Sequence, residues 1–387
     1  MYMDYASASP VDPRVSEAML PFVSERPGNP SSIHFAGAEA REAVEFARRQ
    51  VAELINAENP GEIVFTSGAT ESINMAIKGV AFRNADKGKR LITTTIEHMS
   101  VLNTVKLLTT RGFDATLVPV DGFGFVDPAR VDEAITKDTT LISVSYANGE
   151  VGSVQPIKDI GKIAREHGAY LHVDGVAAVG RTPVDVRVDS IDLMSISSND
   201  ICGPKGVGAL YVKKGVKIEP LIHGGGQERG LRSGSENVPG IVGFGKAAEM
   251  AGKEMSGEIA RLKKFRDRMI REIGSGTKGA HLNGHPEKRL ANNVNFRFDY
   301  IEGEALILRL NDMGIAAATS SACTSKTLEP SHVLRGMGVP PEEAQGTLLL
   351  TMGRWTSDED VNYVLENVPG IVDLLRKMSP LNPETEA

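Results

Sequence analysis

The stretch Glu62–Ser72, EIVFTSGATES, reads as a short apolar strand (Glu62–Thr66), a tight turn at Gly68 and a helix beginning near Thr70. The same unit recurs down the chain. RLITTTIEH (Arg90–His98), DATLVPV (Asp114–Val120), TLISVSYAN (Thr140–Asn148), AYLHVD (Ala169–Asp174), IDLMSIS (Ile191–Ser197) and GALYV (Gly208–Val212) all read as short buried strands. Helical patterns such as Val131–Ile135 and Ile157–His167 separate several of them. Alternation of this kind predicts an α/β fold, a large, mainly parallel seven-stranded sheet with helices on both faces.

Upstream, a helix runs from Ala40, with Ala40, Val44, Ala47, Val51, Leu54 and Ile55 on one face and Arg41, Glu45 and Arg48 on the opposite one; Asn59-Pro60 ends the segment. After the glycine-rich HGGGQERGLRSGSENV (His223–Val238) the texture changes. A long charged helix covers roughly Gly240 to Ile273, and a mixed α/β segment follows, with a helix at Gly303–Asn311. The expected organisation is a large sheet domain over 13–255, a smaller α/β domain built from 1–12 with 256–378, and a fraying, disordered tail over 379–387.

The composition is that of an ordinary soluble protein, with 41% hydrophobic and 24% charged residues in 387. A net charge of −7 argues against a nucleic-acid partner. No apolar run approaches a membrane span, and MYMDYASASP lacks a basic-then-apolar leader pattern. The two cysteines, Cys202 and Cys323, make no disulfide framework and suit a reducing, cytoplasmic setting. His281 and His285 flank Asn283-Gly284, a turn rather than a helical metal pair, and there is no paired-cysteine motif, so no self-contained zinc site is expected.

In open parallel sheets ligands bind beyond the carboxyl ends of the strands. Polar residues collect there: Ser67 to Thr70 after the first strand, then His98, Asn148, Asp174, and Ser197 with Ser198. The turn before Thr70 offers free amides at a helix N-terminus, a natural phosphate seat as well as an ordinary cap. Asp174 ends an apolar run, where a carboxylate needs a partner. Five such ends on one edge argue for a site together. A second cluster, Ala318–Gly338, ATSSACTSKTLEPSHVLRGMG, places Cys323 among small polar residues, which reads as an exposed loop with the thiolate available as nucleophile or soft-metal ligand. Cys202 reads as structural. Arg354, after the strand-like LLLTM, suits two-point binding of a carboxylate, with a surface salt bridge as the plain alternative.

Taken in order, MDYASASP, GNPSSIH, FTSGATES, IEHMSVLNT, NGEVGSVQPI, LHVDGVAAVG, GPKGVGALYV, GGGQERGLRSG, SSACTS and TMGRW make the chain resemble, over nearly its whole length, a cysteine desulfurase of the NifS/IscS type, in the class-V aminotransferase group. The resemblance implies the fold-type I dimer of pyridoxal-phosphate (PLP) enzymes, with sites near the subunit interface. It also implies removal of sulfur from free cysteine, its storage as a persulfide and its transfer to an iron–sulfur scaffold protein of the IscU type. By the same resemblance Ala69, Thr70 and Ser197 bind the cofactor phosphate, Ser235 reaches in from the neighbouring subunit, and His98 stacks on the ring. Asp174 keeps the ring nitrogen protonated, Arg354 binds the substrate carboxylate and Cys323 attacks the substrate sulfur.

The chain departs from that pattern around the ring. Asn199-Asp200, in SISSNDICGPKG (Ser195–Gly206), stands where the family has His-Lys, so the lysine that tethers the cofactor is missing; Asn199 stays with the cofactor-binding set. Gly149 replaces an asparagine, with Asn148 next door able to compensate, and Ala177 replaces a glutamine. A carboxylate cannot form the tether, and if ionised it repels a phosphate roughly 6 Å away by a few kcal/mol at an effective dielectric of about 20. The expectation is weak, non-covalent PLP binding and weak or absent intrinsic desulfuration. Cys323 then carries sulfur from another source or, less simply, ligates a shared iron–sulfur cluster. The alternative is a working desulfurase with non-covalent PLP, in which His98, Asp200 or water is the general base.

Overall fold

The computed structural model describes residues 1–319, 330–380 and 382. Seven strands form the main sheet: β1 (Ile63–Thr66), β2 (Arg90–Thr94), β3 (Asp114–Val118), β4 (Thr139–Ser145), β5 (Tyr170–Asp174), β6 (Leu193–Ser197) and β7 (Gly208–Val212). Their spatial order is β1-β7-β6-β5-β4-β2-β3. The pairs from β6 through β5, β4 and β2 to β3 are parallel, and β7 alone runs against its two neighbours. The seven-stranded, mainly parallel α/β fold expected from the sequence is the one observed. Strand alternation sorts the apolar side chains onto two faces. Val64, Leu91, Leu141, Leu193 and Leu210 share a core with one helical layer, and Phe65, Ile92, Ile142, Val173 and Ile196 share a core with the other.

The helices are α1 (Pro13–Ser24), α2 (Phe35–Leu54), α3 (Ala69–Arg83), α4 (Met99–Thr109), α5 (Pro128–Ala134), α6 (Ile157–His167), α7 (Val238–Gly276), α8 (Gly303–Asp312), α9 (His332–Gly336), α10 (Pro341–Ala344) and α11 (Asp358–Met378). Helices α3 and α4 cover one face of the sheet, α2 and the first half of α7 the other. The 39 residues of α7 span about 58 Å at 1.5 Å per residue. Its second half, Leu262 to Ile273, belongs to a separate core with α8, α11 and a second, antiparallel sheet of β8 (Ala280–Leu282), β9 (Asn293–Phe298) and β10 (Thr347–Thr351). Met3 is fully buried in that core, and isolated bridges from Tyr2 to Ala316 and Asp4 to Thr351 fix the first residues to it.

Three details differ from the sequence reading. Helix α2 begins at Phe35 rather than Ala40, because the His34 ring accepts the Gly37 amide and caps the helix earlier. The strand read through His98 stops at Thr94, since His98 is itself the N-cap of α4. Arg48, placed on the charged face of its helix, is buried: its guanidinium pairs with both Glu228 carboxylate oxygens at 2.7 and 2.8 Å and lies over the Phe65 ring. Cys202 is buried, as its apolar surroundings suggest. Of the tail, Asn382 is buried and donates to the Arg376 carbonyl at 3.2 Å, whereas 381 and 383–387 lie outside the described residues.

Candidate active site

Five strands, β1, β2, β4, β5 and β6, end on one edge of the sheet, and the residues that follow them surround a cavity of about 460 Å³, within the range of small-molecule sites. Of the residues singled out in the sequence, Ala69, Thr70, His98, Asn148, Asp174, Ser197 and Asn199 all line it, together with Asp200, Gly149 and Ala177.

The phosphate seat is built from backbone. Gly68 adopts φ +152°, a value side chains resist, and turns the chain from β1 directly into α3. No side chain caps α3, so the positive end of its dipole opens on the cavity at Ala69 and Thr70. Glu71 accepts the Ser67 amide at 2.7 Å and pairs with Arg232 at 2.9 Å, which leaves its charge neutralised locally. Strand β7 runs tightly beneath: a Cβ on Gly208 would sit 2.8 Å from the Gly68 backbone.

The other walls are side chains. The His98 ring accepts the Ser100 amide through Nδ1 at 3.2 Å, fixing the ring orientation. Asp174 accepts the Val176 amide at 3.0 Å; burial pushes its carboxyl up, and the nearby His98 opposes that. Asn148 is largely committed to the protein: its Nδ2 donates to the Ile96 carbonyl at 3.0 Å and its Oδ1 accepts from Glu150 and Val151. The Asn199 Oδ1 is buried and has no hydrogen-bond partner, an orphan acceptor in the cavity wall. Asp200 is raised by burial, and Arg181 pulls it back from 3.6 Å.

Sequence reading missed three wall residues. Glu97 is fully buried; it accepts from the Thr94 hydroxyl at 2.6 Å and from the Ser145 hydroxyl, and burial drives its carboxyl up to about 7. Its signal was a lone carboxylate inside the apolar run LITTTIEH. His332, the first residue of α9, donates from Nε2 to the Glu97 carbonyl at 2.9 Å, and burial lowers it below an ordinary histidine; being bonded to a carbonyl, that nitrogen carries the proton. Arg181 follows Gly180, where nothing in the local pattern marks it.

Two expected residues lie elsewhere, and a third is outside the described residues. Arg354 is not on the wall of this cavity. It borders a small neighbouring pocket, where Glu254, Asp12 (3.3 Å) and Glu258 (3.8 Å) surround its guanidinium and its Nε is buried without a partner. Ser235 borders a third pocket of about 160 Å³ that shares only Ser67 with the main cavity. Cys323 falls in 320–329, outside the described residues. Among the described residues no group of His, Cys, Asp or Glu is placed to hold a metal ion, and no helix is long and apolar enough to cross a membrane.

The donor set suits pyridoxal phosphate: an uncapped helix end with Thr70, Ser197, the Asp174 carboxyl, the His98 ring and the unsatisfied Asn199 oxygen all belong to the wall of one cavity. What it does not offer, among the described lining residues, is a lysine amine.

The aminotransferase class-V family model matches residues 1–364. Cysteine desulfurase IscS 1 of Archaeoglobus fulgidus is 57% identical over 380 residues, covering 98% of this chain and 99% of the relative. Cysteine desulfurase IscS of Methanosarcina thermophila is 54% identical over 384 residues, 99% of this chain and 95% of the relative. Among solved structures, a NifS-like protein superposes with a TM-score of 0.91 at 39% identity, over 97% of this chain and all of that one. A structure described as SspA in complex with cysteine gives 0.81 at 36% identity, over 92% and 99%.

Proposed function

We propose, from the premise that the chain belongs to the class-V aminotransferase family and to its cysteine desulfurase branch of the NifS/IscS type, that it is a homodimeric sulfur-handling protein of iron–sulfur cluster assembly. In this reading it holds PLP without a covalent tether, desulfurates L-cysteine weakly or not at all, and presents the Cys323 thiol to a scaffold protein of the IscU type. The observation that carries it is Asp200 on the cavity wall, with no lysine among the described lining residues.

Bound in the cavity, the cofactor supplies an electron sink for negative charge at a substrate carbon. The chain's residues then have these tasks. The amides at the start of α3, with the Thr70 and Ser197 hydroxyls, hold the phosphate. Asp174 holds a proton on the ring nitrogen; burial raises its carboxyl, so a cation beside it is what keeps it ionised. His98, its ring fixed by the Ser100 amide, packs against the ring. With an acid at position 200, no side-chain amine is present there to tether the cofactor or to carry a proton to and from substrate, which removes two accelerating functions of such a lysine at once.

The test is sulfide release from L-cysteine with PLP supplied, in wild type and in Asp200→Lys. Little release from wild type and a clear gain in the variant support the reading. Robust wild-type release overturns it in favour of a desulfurase that works with untethered cofactor. Cys323→Ser is expected to abolish sulfur delivery to a scaffold protein in either case.

A further inference from the structure

Arg354 sits in the turn between β10 and α11, and that turn is fastened to one stretch of α7. Arg261 of the helix donates to the carbonyls of Gly353 at 2.9 Å, Arg354 at 3.1 Å and Thr356. A single side chain thus holds the backbone around Arg354. Two helical turns earlier, on the same face, Glu254 accepts from Arg354 Nη1, and the Asp12 carboxylate stands 3.3 Å from that nitrogen. Arg14 closes the ring. It donates to both Asp12 oxygens at 3.0 and 2.9 Å and to Glu254 Oε1 at 2.8 Å. Chiefly through these bonds it keeps both carboxyls below their usual range, so both stay ionised.

The ring grips the guanidinium by Nη1 and leaves its side edge, Nε with Nη2, without a hydrogen bond. Nε is buried with no partner, and Nη2 is 3.8 Å from Glu258, beyond hydrogen-bond length. That edge has the geometry for two-point binding of a carboxylate. The pocket it borders holds about 40 Å³, room for a small polar group rather than a whole ligand. Arg181 and Asp200 belong to its wall and to that of the main cavity, so the two spaces adjoin.

We propose that Asp12, Arg14, Glu254 and Arg261 are positioning residues, which fix Arg354 so that its Nε–Nη2 edge is kept for the carboxylate of a substrate. This assignment rests on the reading of the site as one for amino-acid chemistry, leaves carboxylate recognition with Arg354 and names what aims it. An unrestrained arginine must be ordered when its ligand arrives; one held at Nη1 and along its backbone is already in place. The ring carries two charges of each sign, so the anchors add no net charge to the pocket and act through orientation. Asp12 and Arg14 come from the start of α1, Glu254 and Arg261 from the middle of α7, so the aim of Arg354 depends on how α1, α7 and the turn after β10 meet.

Titration of the purified full-length protein with 3-(methylthio)propionate and with its uncharged amide tests this, read by calorimetry and by the emission of Trp355, the single tryptophan of the chain and the neighbour of Arg354. Wild type is expected to prefer the acid by about 10-fold or more, the size of one charge-assisted hydrogen bond. Glu254→Asp, Arg14→Lys and Arg261→Lys each keep their charge and lose reach or the two-point fork, and each should cut that preference by about 3-fold or more. Arg354→Gln should erase it, as should Arg354→Lys in large part if the glutamine variant folds poorly. Adding Glu254→Asp to Arg354→Gln should then change nothing further, because the anchor acts through the arginine. No preference for the acid in wild type, a preference untouched by all three charge-keeping variants, or an equal loss with and without Arg354 would overturn the assignment. Neither probe carries an amine, so neither condenses with PLP. A covalently held cofactor or robust sulfide release would refute the proposed function and leave this result to stand or fall alone.

Discussion

Glu228→Gln removes one charge from the most completely buried ion pair among the described residues while keeping side-chain volume. Arg48 and Glu228 are 3% and 7% exposed. The carboxylate receives both guanidinium nitrogens and the Phe65 amide at 2.9 Å, and Arg48 also donates to the Ile63 carbonyl at 2.8 Å. This network fastens the glycine-rich segment to β1, the strand that delivers Gly68 to the phosphate seat. With glutamine at 228, the buried Arg48 charge keeps only the half-exposed Glu45 carboxylate at 3.0 Å and loses its two-point counter-ion, a loss of about 3–5 kcal/mol. At roughly 2.1 cal/mol/K per residue, the 387 residues give an unfolding entropy of about 0.8 kcal/mol/K, so the melting temperature should fall by about 4–6 °C. Scanning calorimetry reads the shift directly. Adding Arg48→Met to Glu228→Gln should recover much of it, because the orphaned charge is then gone. A shift under about 1 °C for the single variant, or a double variant no better than the single, would refute the argument that the pair is energetically closed.

Other consequences are as concrete. Glu97 titrates near pH 7 in the folded protein against an ordinary 4.5, so the native state keeps a proton that the unfolded chain has already lost. Its contribution to stability is full below the lower value and disappears as pH rises through about 7. Glu97→Gln should therefore flatten the fall in melting temperature between roughly pH 5 and 8, and an unchanged slope would contradict the assignment. Gly208→Ala places a Cβ 2.7 Å from the Ile196 carbonyl and 2.8 Å from Gly68. We expect lower stability by about 1–3 kcal/mol and weaker PLP retention on gel filtration; neither change would mean that the turn has slack. Thr70→Ala should lower PLP affinity, read by fluorescence titration, by roughly 5–10-fold, and no loss would take Thr70 out of the phosphate seat.

The parallel sheet was readable because its strands are short apolar runs, five of the seven closed by a polar residue, and GALYV and Ile157–His167 carry their boundaries in sequence. Strand ends were less readable where a cap took over, as at His98. The converging wall residues were legible for the same reason the sheet was: a parallel sheet brings its carboxyl ends to one edge, so Thr70, His98, Asp174 and Ser197 could be placed without knowing a single distance. Long-range pairing was not. Arg48 looks like a solvated helix residue until Glu228, 180 positions away, is folded onto it. Arg181 gives no local pattern at all and Glu97 only a lone carboxylate in an apolar run, since their meaning comes from Asp200 and Ser145. Arg354 shows the converse: a well-placed residue type whose carboxylate neighbours, Asp12 and Glu254, come from distant segments.

Untethered cofactor follows from the absence of an amine at position 200. The most direct measurement is borohydride reduction of the PLP-supplied protein followed by peptide mass spectrometry, in wild type and Asp200→Lys. The expected result is no pyridoxyl group on any wild-type lysine and a stoichiometric one at position 200 in the variant. A stoichiometric pyridoxyl lysine in wild type would contradict it.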